Sequence, residues 1–147
     1  MYIATWLFFG FCAGGLFIRY AHLHPSDTRR ILATALVVAA VIYVAFALLA
    51  ANVSRWLVVE LVGVAMYGGL AVLGVKRSVW WLASAWALHP VWDIAIHYLG
   101  SGASFAPQWY VIACVSFDLL VAAYAAHIAV RGLTNPSGAT HTKPRAA

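Results

Sequence analysis

Six side chains able to do chemistry fall in stretches that otherwise look built to exclude water. Glu60 lies in WLVVELVGVAMYGGLAVLGV, Asp93 in VWWLASAWALHPVWDIAIHYL and Asp118 in PQWYVIACVSFDLLVAAYAAHIAV. Only one of the four acidic residues, Asp27, sits in a polar loop. A carboxylate in hydrocarbon costs about 2.5–3.5 kcal/mol or more unless it is paired, protonated or bound to a cation, so such groups mark sites. His89, Asp93 and His97 are spaced i, i+4, i+8. On a helix each step of four drifts by only ~40°, which lines all three along one stripe. Cys114 and Asp118 share a face of another helix in the same way.

Three chemistries suit that set. In the first, Glu60, His89, Asp93 and His97 ligate a divalent transition metal, since imidazole with carboxylate suits Zn, Fe, Mn or Cu. The second is metal-free, with His89, Asp93, Glu60 and Asp118 as the catalytic group. There Asp93 and a histidine form an acid–base pair, and Glu60 or Asp118 stays protonated. In both, Asp118 would orient His89 from behind. The third is internal glue, with protonated carboxyls and neutral imidazoles bonded across helices. Cys114 reads as a small core residue. Pro90, inside the stripe, removes one backbone donor and frees the carbonyl of Trp86, which opens room for a kink or for water.

The elements that must position these groups are apolar helices. Of the 147 residues 65% are hydrophobic and 9% charged, with a mean hydropathy of +0.88. Soluble domains carry about 25% charged residues, so the composition is that of an integral membrane protein. The net charge of +5 is no nucleic-acid signal, because the basic residues are spread over loops and tail. Five stretches reach the length of about 20 residues that a bilayer requires: 2–20, 30–51, 56–75, 79–99 and 107–130. The first has no basic leader region and reads as a retained helix. Residues 1–131 then form an all-α bundle of five transmembrane helices, and 132–147 a disordered cytoplasmic tail. Eight of the nine Lys and Arg residues fall on one side of such a bundle; only Arg55 falls on the other. The positive-inside rule places the N-terminus outside and the C-terminus in the cytoplasm of a multi-pass inner-membrane protein.

Depth can be reckoned from a rise of 1.5 Å per residue. Glu60 lies ~6 Å below the outer end of its helix, Asp93 ~9 Å and His97 ~3 Å. Cys114 lies ~10 Å below, His89 ~15 Å and Asp118 ~16 Å. Three helices therefore bring their titratable groups into the outer half of the bilayer. His127 is far from them in depth, and His22 and His24 belong to a loop. Small residues four apart, at Gly10 and Gly14, Ala65 and Gly69, and Ala122 and Ala126, invite close helix approach.

At these residues the chain resembles an uncharacterised family of small bacterial integral membrane proteins, a domain of unknown function. The resembling stretch runs from Glu60 to about Tyr124. Its elements are Glu60-Leu-Val-Gly63, Trp86-Ala-Leu-His89-Pro-Val-Trp92-Asp93-Ile-Ala-Ile-His97, Phe105-Ala-Pro107 and Cys114-Val-Ser-Phe-Asp118. The resemblance implies a compact helical membrane domain and brings no activity with it. The leading expectation is a metal-dependent or acid–base membrane enzyme acting on a lipophilic substrate from the bilayer. Alternatives are a metal- or proton-binding accessory or transport subunit, and a structural protein with a satisfied polar core. Too few polar residues remain in the inner halves of the spans to line an ion pore.

Overall fold

The computed structural model describes residues 2–134. Five α-helices follow one another: α1 (Tyr2–Leu23), α2 (Thr28–Ala47), α3 (Val53–Lys76), α4 (Val79–Asp93) and α5 (Gln108–Thr134). No strand occurs among the described residues. Four of the helices, all but α4, are long and apolar enough to cross a membrane. α4 has 15 residues, but the chain continues from it without a break into a π turn at Ile94–Tyr98. A short 3-10 turn, Ser101–Ser104, then leads to α5. α5 continues to Thr134, and the stretch 135–147, part of the tail expected from sequence, lies outside the described residues.

Local chemistry explains the boundaries. Pro25 and Asp27 interrupt the chain after α1, and Thr28 locks the turn. Its hydroxyl donates to the carbonyls of Ala21 and His24, both at 3.0 Å, adding a second bond to acceptors that the turn's own amides already use. α2 stops at Ala47, four residues before the expected end of its span, although Leu48–Ala51 is as apolar as what precedes it. Ala47 and Ala50 pack instead with Trp56 into a small separate core, and the chain turns there. Ser78 caps α4, its Oγ accepting from the Trp80 amide at 3.3 Å.

Two helix pairs enclose α4. α1 packs on α5, and α2 on α3, while α4 touches α5, α3 and α2. α1 and α2 scarcely meet despite the short turn between them. The α1–α5 contact is close because Gly10 and Gly14 are buried in it. A methyl at Gly10 would overlap the Ala113 carbonyl. Ser116 Oγ strengthens the same seam with a 2.7 Å bond to the Leu7 carbonyl. Ala65 and Gly69, equally spaced, instead face outward, with open space beside Gly69. Spacing shows that a helix has a smooth face, but not whether a neighbour lies against it. The main core gathers Leu32, Leu36, Tyr67, Leu82, Trp86 and Val121. Trp86 also donates its indole N–H to the Leu32 carbonyl at 3.3 Å, tying α4 to α2. Outside, large apolar side chains such as Phe8, Leu16, Val58, Leu61 and Val91 stand more than half exposed or close to it.

The two small-residue pairs give a direct check. Gly10→Leu should destabilise the bundle by about 1–3 kcal/mol through overpacking. Gly69→Leu should leave it unchanged or slightly firmer, because leucine is the better helix former. Thermal melts in detergent measure both, and equal melting temperatures would contradict the close α1–α5 seam.

A buried cluster of histidines and carboxylates

α4 and its π turn carry His89, Asp93 and His97 into the middle of the bundle. None of the three is more than 1% exposed. The stripe does not act as one unit, because its members turn to different neighbours. His89 Nδ1 lies 2.9 Å from Asp118 Oδ2 on α5 and 3.4 Å from Asp93 Oδ2. His97 turns to α3, where its Nε2 lies 2.9 Å from Glu60 Oε1. Drift of ~40° per four residues already separates the two ends of the stripe. The π turn, in which the Leu99 amide donates to the Ile94 carbonyl at 2.9 Å, re-phases the last part further. Pro90 sits inside the helix just before it.

Backbone devices hold these groups in place. Gly102 lets the loop after the π turn close over His97, since a methyl there would strike the imidazole edge and the Ile96 carbonyl. Tyr43, from α2, stacks on His97 with centroids 4.1 Å apart and planes 16° from parallel. The same ring lies 6.2 Å from His89. Tyr67, from α3, meets His89 edge-on at 4.8 Å. Glu60 and His89 both line one small internal cavity, with Tyr43 and Tyr67 beside them. The His89–Asp118 and His97–Glu60 pairs are thus separate in their bonding and adjoining in space.

Sequence reasoning singled out Glu60, His89, Asp93, His97 and Asp118, and all five are buried in this one region. The expected ligand grouping differs. Among the described residues, the set whose donor atoms converge is His89, Asp93 and Asp118, each offering one atom within 4.8 Å of the others. Glu60 and His97 stand outside that set, bonded to one another. Cys114 is a buried free thiol, as a small core residue should be, while Cys12 on α1 is free and exposed. Tyr43 and Tyr67 were missed. On a hydropathy pattern they pass as apolar residues, and the one available signal was a tyrosine set inside a span.

Hydrogen bonding is incomplete in a revealing way. Oδ1 of Asp118 and Nδ1 of His97 have no hydrogen-bond partner, and Asp93 has only loose ones, His89 Nδ1 at 3.4 Å and the Tyr43 hydroxyl beside it. Every described Lys and Arg is exposed or lies at the bundle surface. Three carboxyl groups therefore share an interior in which imidazoles are the available basic groups. Residues 5–131 match a family of unknown function (DUF6010). The chain belongs to this family. No curated protein and no solved structure matches it. The DUF6010 match covers the cluster and every helix that contributes to it.

The Glu60–His97 pair can be tested in isolation. Glu60→Leu or His97→Leu alone strands a polar partner inside the bundle and should cost about 3–5 kcal/mol. The double leucine variant should cost less than the sum of the two, because nothing is left unpaired. A double-mutant cycle by denaturant unfolding in mixed micelles reads the difference, and additive losses would show that the two side chains do not depend on each other.

Proposed function

We propose that this chain is a five-span membrane protein of the inner membrane whose His89–Asp93–Asp118 cluster binds a divalent transition metal and serves an enzyme site for lipophilic substrates. The apolar outer faces of the bundle support the membrane setting, since in water such contiguous patches would drive association. α4 with its π turn supplies 20 residues, Val79–Tyr98, and serves as the fourth span. The chain then alternates across the bilayer with its N-terminus outside and the basic ends of α1, α3 and α5 in the cytoplasm.

One observation carries the metal reading. Three donors from two helices converge within 4.8 Å, wholly buried, and their two carboxyl groups have one short bond between them, Asp118 to His89 at 2.9 Å, with Asp93 held only loosely by His89 and the Tyr43 hydroxyl. Carboxylates so poorly partnered in hydrocarbon are costly, and a cation held among the three donors would offset that cost. Ligand distances of about 2.0–2.2 Å put tetrahedral donors about 3.4 Å apart. The His89–Asp93 separation is 3.4 Å, and the 2.9 Å His89–Asp118 pair needs to open by only about half an ångström. One imidazole with two carboxylates favours Mn, Fe or Zn over Cu. Three protein ligands also leave a coordination position open for water or substrate, as catalytic metal sites do. The Glu60–His97 pair stands beside it as an oriented carboxylate–imidazole couple, and the unpartnered His97 Nδ1 supplies a proton acceptor.

A second reading rests on the two 2.9 Å histidine–carboxylate bonds, which also suit a metal-free polar core. Elemental analysis of protein purified in detergent, before and after chelation, separates the two. The metal site should give one equivalent of Mn, Fe or Zn. Asp118→Asn and His89→Ala should lose it with the bundle still assembled, whereas Glu60→Gln should retain it. The polar core predicts no stoichiometric metal and a sharp fall in melting temperature for Asp93→Asn.

The orientation has its own test. In a Cys12→Ser background, a single cysteine in loop 100–106 should react with an impermeant maleimide added to intact cells. Reaction only after permeabilisation would invert the topology.

A further inference from the structure

α1 and α2 diverge from the turn that joins them, and a crevice of about 460 Å³ with apolar walls opens between them. A second groove, of about 380 Å³, runs down the outside of the α2–α3 seam and differs in ending on a cation. Ala33 of α2 and Gly68 of α3 keep it deep, with open space where a side chain at Gly68 would stand. Val38 and Val72 form its rims, and Thr34 and Lys76 supply its polar groups; all four are exposed. Arg30, Thr34 and Val38 follow at intervals of four on α2, and Gly68, Val72 and Lys76 do so on α3. The chain reverses between the two helices, so both stripes carry their cation at the same end, the one that the proposed orientation places in the cytoplasm. From Val38 or Gly68 to that end the groove is ~12 Å long at 1.5 Å per residue. One leaflet of the hydrocarbon core is ~15 Å deep. Charge at that end is unbalanced. Glu60, Asp93 and Asp118 are buried in the interior, and Asp27 lies 3.7 Å from Arg30. The chain has no other carboxylate side chain to meet Lys76.

We infer that this groove holds an anionic phospholipid of the cytoplasmic leaflet, with one acyl chain along the seam and the phosphate between Lys76 and Arg30. The inference rests on the membrane-embedded reading above and is independent of the metal. An apolar groove about one leaflet deep fits a chain anchored by its headgroup, and basic side chains at the cytoplasmic end of a helix seam suit an acidic one. Thr34, ~6 Å deeper than Arg30, stands at the depth of the ester carbonyls, to which its hydroxyl can donate. A second copy of this chain fits less well. Paired about an axis normal to the membrane, it would set its own Arg30 and Lys76 against these, like charge to like.

Two measurements test the inference. Reconstitution of the full-length protein into phosphatidylcholine nanodiscs tests the membrane setting alone, and a chain that does not insert overturns both readings. Protein that inserts is titrated in detergent with palmitoyl-oleoyl phosphatidylglycerol or phosphatidylcholine, and bound lipid is counted by native mass spectrometry. Phosphatidylglycerol should saturate at one per chain and bind about tenfold tighter than phosphatidylcholine. Lys76→Gln with Arg30→Gln should erase that preference. Gly68→Leu, whose first side-chain carbon meets nothing within 4 Å, should fill the groove and weaken both lipids. Arg19→Gln with Arg131→Gln, which removes as much charge from the α1–α5 side, should change neither. Equal affinity for the two lipids, an equal loss in the Arg19 and Arg131 control, or adducts that never saturate would each overturn the inference. So would a dimer that Gly68→Leu dissolves, which would give the groove to a second copy.

Discussion

The bundle is organised by a problem of charge neutralisation without basic side chains. Three carboxyl groups and two imidazoles are enclosed among apolar helices, and the described Lys and Arg residues remain at the surface. In a medium of low dielectric such groups must answer one another or bind a cation, because solvent offers nothing. The helix arrangement follows from that. α4 must lie between α3 and α5, because its two histidines each need a carboxylate and those come from different helices. α2 must follow α3 closely enough to lay Tyr43 against His97.

The outer helices then differ in what they contribute. α2 is tied to α4 through the Trp86–Leu32 bond and brings an aromatic ring to the cluster. α1 brings no polar group to it and holds to α5 through glycine contacts and the Ser116–Leu7 bond. Because α1 follows α5 and α2 follows α3, the two part company, and the crevice between them is a by-product of satisfying two separate seams.

Much of this was legible in the residues. Apolar runs locate the helices to within a few positions, since length and hydropathy are what they require. The five buried polar groups stood out because a polar residue in a span is expensive. Pairing was harder to read. Depth reckoning put His89 level with Asp118, and these two do bond. It put Asp93 level with Glu60, whereas Glu60 bonds His97. Rise along an axis gives level but not rotation, and the π turn after Asp93 changes rotation with no mark in the pattern of apolar residues. The early stop of α2 escaped for a related reason: Leu48–Ala51 is apolar both as helix and as turn.

α4 carries His89 and the π turn that continues it carries His97, so one unbroken stretch of chain positions both pairs. Moving that stretch towards α5 shortens the His89 side and lengthens the His97 side. The π turn and Pro90 mark where it is least stiff, and they lie on either side of Asp93. The carboxylate between the two histidines therefore stands at the junction where the α helix gives way to the π turn, the point at which the two histidines part towards different helices.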